Sequence, residues 1–109
     1  MLQKQIEQDF LTAFKARDEK IVSTLRMLKS SLTNKMIEKK MAKEAVLEDN
    51  DVIAVIKSEV KKRKDSFDSY KQADRMDLAD RESAEIEILE KYFIKAQRRI
   101  DQAQELMFI

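Results

Sequence analysis

Residues 86–107 read IEILEKYFIKAQRRIDQAQELM, and within them Ile86, Leu89, Phe93, Ala96, Ile100, Ala103 and Met107 recur at alternating spacings of three and four. That spacing makes a narrow apolar seam along one long helix, with Arg98, Arg99, Asp101 and Glu105 on the wet side. No breaker stands inside it. The chain of 109 residues contains no glycine, no proline, no histidine and no cysteine, so the backbone positions from which hairpins and phosphate-cradling loops are built are missing. Helices joined by short polar turns are the fold that remains.

The same reading extends upstream. Asp74 followed by Asp77 resembles a capping box that opens this fourth helix, with surface pairs Asp77–Arg81 and Glu87–Lys91 at i,i+4. A third helix carries Val52, Ile53, Ile56, Val60, Arg63, Phe67 and Tyr70 on one stripe and starts in the acidic run Glu48-Asp49-Asn50-Asp51, which offers caps and complements the helix dipole. Residues 41–50 have helical propensity but no continuing stripe, and read as a connector with some helical turn. The second helix shows Ile21, Leu25, Leu28, Leu32 and Met36 on one face, is capped by Asp18, and fades near Lys39-Lys40. The first, from Leu2 to Lys15, aligns Leu2, Ile6, Phe10 and Phe14, with Leu11 and Ala13 widening the face. The expected fold is all-α: an irregular four-helix bundle whose last helix extends as an arm.

Composition bounds the function. Charged residues make up 39% and aromatics 6% of the chain, which suits slender amphipathic helices. The apolar 43% lies in ordered stripes, unlike a disordered chain. No apolar run approaches the roughly 18 residues that span a bilayer, and no signal-peptide stretch opens the sequence, so a soluble cytoplasmic protein without membrane partners is expected. Histidine and cysteine, the usual ligands of zinc and the usual groups that titrate or attack near neutral pH, are absent. With no phosphate-binding glycine loop either, no catalytic residue, metal site or cofactor is assigned. Glu82, Glu85 and Glu87 lack the cleft and second ligand type that acid–base or metal chemistry needs.

The net charge of +1 hides an uneven distribution. Residues 1–64 carry 15 basic and 10 acidic groups (+5), residues 65–90 carry 3 and 9 (−6), and the remainder carries 4 and 2 (+2). The sharpest feature is Lys61-Lys62-Arg63-Lys64, four cations in one helical turn, with Lys57 and Lys71 extending similar faces. Such a cluster neutralises phosphates when it binds nucleic acid; it is also what a solvated helix face looks like. Phe67 and Tyr70 can stack on bases or fill a core, and their place on the apolar stripe favours the core. Arg26, among Leu25, Met27 and Leu28, either snorkels or reaches a carboxylate such as Glu59 or Glu85. The six methionines are read as gap-fillers of a thin core.

Four segments in order carry a resemblance: Ala16-Arg17-Asp18-Glu19-Lys20 with Ser23-Thr24-Leu25-Arg26-Met27-Leu28-Lys29, then residues 59–67, then Asp77-Leu78-Ala79, then residues 85–92. Together they resemble the GatB/YqeY family over about residues 2–93. The resemblance implies a helical module related to the C-terminal part of the GatB component of tRNA-dependent amidotransferases, where it helps engage tRNA while carbon–nitrogen ligation with glutamine as donor proceeds elsewhere. It therefore implies a non-catalytic domain over residues 1–93 that associates with tRNA or an amidotransferase-type complex, with Lys57, Lys61, Lys62, Arg63 and Lys64 as the candidate RNA-binding residues. The family commonly has a proline and an acidic helix start after the tyrosine matching Tyr92. Here residues 94–109 continue the helix in place of the family's tail domain. The seam from Ile86 to Met107 then suggests an alternative role, a homo-oligomer paired through its C-terminal helices with Phe93, Ile100, Leu106, Met107 and Phe108 covered by the partner.

Overall fold

A computed structural model describes residues 2–107. Four helices follow one another: α1 (Leu2–Lys15), α2 (Glu19–Glu38), α3 (Asp49–Gln72) and α4 (Met76–Met107). The all-α expectation holds, and α1 has the bounds read from its stripe. α4, at 32 residues and about 1.5 Å per residue, is a rod of about 48 Å that accounts for the 51 Å long dimension of the molecule.

The stripes become the core. Leu2 and Ile6 from α1, Leu25, Leu28 and Leu32 from α2, Val52, Ile53 and Ile56 from α3, and Leu89 and Ala96 from α4 pack as one cluster. The first helix buries less than its stripe suggests: Phe10 is half-buried, and Leu11 and Phe14 are exposed. Phe67 and Tyr70, near the end of α3, are half-buried and outside the main cluster. Leu47 is wholly buried although it sits in the connector. Its backbone N–H donates to Gln3 Oε1 at 2.7 Å, so a buried glutamine satisfies a loop amide that no ladder can reach.

Each of the three joints closes without glycine. Arg17, Lys40 and Asp74 adopt φ of 57°, 56° and 57°. The next residue's N–H reaches back five positions in each case: Asp18 to Ala13, Met41 to Met36 and Arg75 to Tyr70. These are Schellman closures, which ordinarily place glycine at the left-handed position. One sequence expectation is corrected here. Asp74 does not cap α4; it is the left-handed residue that ends α3, and the Asp77 carboxylate is taken by Arg75 at 3.3 Å rather than by Arg81. The expected Glu87–Lys91 pair is likewise not among the ion pairs of the described residues.

Asp18 does cap α2, accepting from the Ile21 N–H at 3.3 Å. The acidic run at the start of α3 makes tertiary contacts, and its N-cap residue Glu48 makes no side-chain capping bond. Asp49 accepts from the Leu2 N–H at 3.0 Å and lies 3.8 Å from Arg99, while Asp51 pairs with Lys39 at 2.6 Å.

α4 corrects the expectation of a free arm beyond Tyr92. Tyr92, Phe93 and Ile100 pack against the common core, and Ala96 is part of it, because the seam continues along α3 and meets α1. Tyr92 Oη donates to Asp9 Oδ2 at 2.6 Å across 83 residues of sequence. Burial first, and then the neighbouring Asp9 carboxylate, push the Tyr92 phenol well above its usual value. α4 runs unbroken through residues 93 and 94, as the reading of residues 94–109 as a continuation of the helix expects. Only its last two turns, with Leu106 and Met107 73% and 85% exposed, project past the bundle. Phe108 lies outside the described residues. Among those residues no helix is long and apolar enough to cross a membrane.

Candidate nucleic-acid interface

The basic block divides into three environments, because consecutive residues of a helix point about 100° apart. Arg63 turns inward and is only 5% exposed. Its Nη1 donates to Glu59 Oε2 at 2.6 Å and its Nε to Glu85 Oε2 at 3.0 Å, while Ser31 Oγ donates to Glu59 Oε1 at 2.7 Å. Burial opposes the charge on Glu59, but hydrogen bonds from Arg63 and Ser31 outweigh it and hold the carboxyl below its ordinary value. For Arg63 burial is again opposed and outweighed, here by its two carboxylates, which keep the guanidinium charged. A residue so enclosed is a fastener for α2, α3 and α4 and presents little of its guanidinium to a phosphate. It fills the role that the sequence suggested for Arg26. Arg26 instead lies exposed with its guanidinium 5.7 Å from the Phe10 ring centroid.

Lys62 points toward α2, its Nζ 3.9 Å from Glu59 Oε1, beside a shallow groove lined by Asn34, Lys35 and Glu38. Lys57, Lys61 and Lys64 share a different face of α3 with Lys71, at steps of four, three and seven residues. All four are exposed, and the row from 57 to 71 is about 21 Å long at helical rise.

Beside this row runs a groove of about 570 Å³ between α3 and α4. Ile56, Val60, Phe93 and Ile94 supply its apolar lining, and Lys57, Lys61, Lys64, Asp65 and Glu90 its polar rim. Lys57 Nζ lies 5.4 Å from the Phe93 ring centroid, Lys64 Nζ lies 3.5 Å from Glu90, and Lys71 Nζ lies 5.4 Å from the Phe67 ring centroid. Two lysine–aromatic pairs thus flank a lysine–glutamate pair along this side of α3. Ile94, half exposed, escaped the sequence reading because it lies off the seam. A lone isoleucine on the polar side of an amphipathic helix was the available signal.

The seam residues are divided as well. Leu89 and Ala96 are buried within the chain, Ile86, Phe93 and Ile100 are half-buried, and Ala103 and Met107 are exposed. Most of the surface expected to pair with a second copy is therefore already covered. Among the candidate carboxylates, Glu85 is engaged by Arg63 and Glu87 is exposed. Glu82 lines a groove between the starts of α2 and α4, where burial, reinforced by the charge of Glu85, raises its pKa.

The arrangement offers cationic and apolar surface for binding. Comparison with known proteins places it in a lineage. A protein of Schizosaccharomyces pombe described as uncharacterised is 32% identical over 93 residues, which cover 84% of this chain and 71% of the relative. The mitochondrial protein of Vanderwaltozyma polyspora named altered inheritance of mitochondria protein 41 is 28% identical over 87 residues, covering 80% of this chain and 45% of that one. The chain thus spans less than half of the second relative's length. Residues 3–104 match the family model described as Yqey-like protein, a match that continues past Phe93 through most of α4, and the chain belongs to that family.

Proposed function

We propose that the chain is a non-catalytic RNA-binding module that associates with tRNA, or with a complex that handles tRNA, through the exposed lysines of α3. The observation that carries this reading is the row Lys57, Lys61, Lys64 and Lys71 on one face of α3, interrupted by Asp68, beside a mainly apolar groove whose rim also carries Asp65 and Glu90. Phosphate neutralisation by clustered cations supplies most of the affinity of such surfaces and makes it fall with salt. The resemblance to the amidotransferase module supports the choice of tRNA. The burial of Arg63 removes one of the candidate residues, and the facing of Lys62 makes it peripheral.

The test is fluorescence anisotropy with labelled tRNA over a salt series. Binding should weaken steeply with salt. Replacing Lys57, Lys61, Lys64 and Lys71 together by glutamine should reduce affinity and flatten the salt dependence. A wild-type protein that fails to bind tRNA at low salt overturns the proposal.

Self-association is a second reading, favoured by one observation: the projecting end of α4, where Leu106 and Met107 are exposed beside Ala103. The contact then rests on the last two turns and not on the whole seam. Sedimentation equilibrium of the wild type and of Leu106→Asp decides it. A dimer made monomeric by this substitution supports the reading, and a wild-type monomer at high micromolar concentration removes it.

A further inference from the structure

We infer that the α3–α4 groove receives unstacked bases, so that the RNA recognised by this face is single-stranded. The inference rests on the RNA-binding reading above and narrows the class of RNA it requires. Lysines alone do not discriminate, since a duplex and a single strand both present phosphates. The groove does. In a duplex the bases are stacked inside and only backbone and groove edges face a protein, so nothing in it fits an apolar hollow.

A splayed strand presents both phosphates and flat apolar faces, and the groove offers a counterpart to each. Lys57, Lys61 and Lys64 stand along the rim, while Phe93, Val60 and Ile94 line the space beneath. The groove, at about 570 Å³, has the size of sites that hold planar small molecules. Lys57 lies over the Phe93 ring in the free protein, 5.4 Å from its centroid. A base stacking on that ring displaces the ammonium, which is then free to turn to the adjacent phosphate. A second cation–aromatic pair, Lys71 on Phe67, lies farther along α3, outside the lining of this groove. Cations and aromatics along a groove are how sequence-tolerant single-strand binders are built. Glu90 and Asp65 on the same rim weaken the site for phosphate, and Glu90 is partly neutralised by Lys64 at 3.5 Å.

The experiment compares three probes of equal length, about 12 nucleotides: a single-stranded RNA, the same strand with abasic residues, and the blunt duplex. The intact strand should bind at least about tenfold more tightly than either of the others, because only it offers bases to stack. Ile94→Ser, a neutral change at an exposed position, should lower affinity for the intact strand several-fold and leave duplex binding and its salt slope unchanged. Lys61→Gln should weaken all three. Equal binding of intact strand, abasic strand and duplex overturns the inference while leaving the RNA-binding reading in place. Loss of binding to every probe, and to tRNA, overturns both. If Ile94→Ser instead converts a dimer to a monomer with strand binding unaltered, the groove belongs to a second copy and the inference is wrong.

Discussion

Arg63 Nε donates to Glu85 Oε2 at 3.0 Å, and the same guanidinium reaches Glu59 one turn back on its own helix, so a single side chain fastens α3 to α4. Removing Arg63 leaves Glu85 without its cation and Glu59 with only the Ser31 hydroxyl and a distant Lys62. Arg63→Ala should therefore cost about 3–5 kcal/mol in urea denaturation. The affinity of the folded protein for tRNA should not change, whereas Lys61→Gln should lower affinity and leave stability alone.

Two glutamates should give opposite pH responses in thermal melts. Glu59 is held below its ordinary value, so the unfolded chain binds more protons as the solution is acidified. Its contribution is complete above the unfolded pKa and is lost as pH falls through the folded one. The pKa of Glu82 is raised, so the folded form holds the proton more tightly and the ionised carboxylate works against the fold. Glu82→Gln should raise the melting temperature at neutral pH, and the gain should vanish at acid pH where the carboxyl is protonated in both states.

The left-handed joints define a third expectation. Arginine and lysine meet a steric penalty at positive φ that glycine avoids, and aspartate tolerates the region better. Arg17→Gly and Lys40→Gly should each stabilise the protein by about 0.5–1 kcal/mol after the greater freedom of glycine in the unfolded chain is subtracted. Asp74→Gly should gain less. Melting temperatures of the three single variants provide the ranking.

Tyr92→Phe removes the hydrogen bond to Asp9 while keeping the ring in the core. A bond to a charged acceptor predicts a loss of about 1.5–3 kcal/mol. Because the phenol is pushed upward, alkaline difference spectra of the wild type should contain a late tyrosine ionisation that is missing in the variant.

The helical architecture was legible because it depends on periodicity, which local sequence displays directly: Leu25, Leu28 and Leu32 are buried as their spacing requires. Tertiary direction was less legible. The seam from Ile86 to Met107 looks the same whether it meets a second copy or its own α3, since spacing specifies a contact surface and not its owner. Arg63 shows the same limit within the candidate site. Its place on an apolar stripe signalled burial, while its neighbours Lys61, Lys62 and Lys64 signalled phosphate binding, and the carboxylates that decide between them are distant in sequence. Asp74 was misread, and the burial of Leu47 went unread, for a different reason. In short joints the backbone's hydrogen-bonding needs, met by Gln3 and by left-handed closures, outrank side-chain preference.

The union of α1 with α4 also bears on how the chain folds during synthesis. Asp9 waits for Tyr92, and the Asp49 carboxylate that receives the Leu2 amide also meets Arg99, so contacts made by the first residues translated are completed by some of the last. α3 and α4 share the largest interface of the molecule. While α4 is still inside the ribosomal tunnel, the core faces of α1, α2 and α3 can cover one another only in part. At roughly 5–20 residues per second, that interval lasts seconds. A nascent chain stalled before α4 emerges should be protease-sensitive and available to chaperones, and protection should arise in one step as residues 89–100 clear the tunnel.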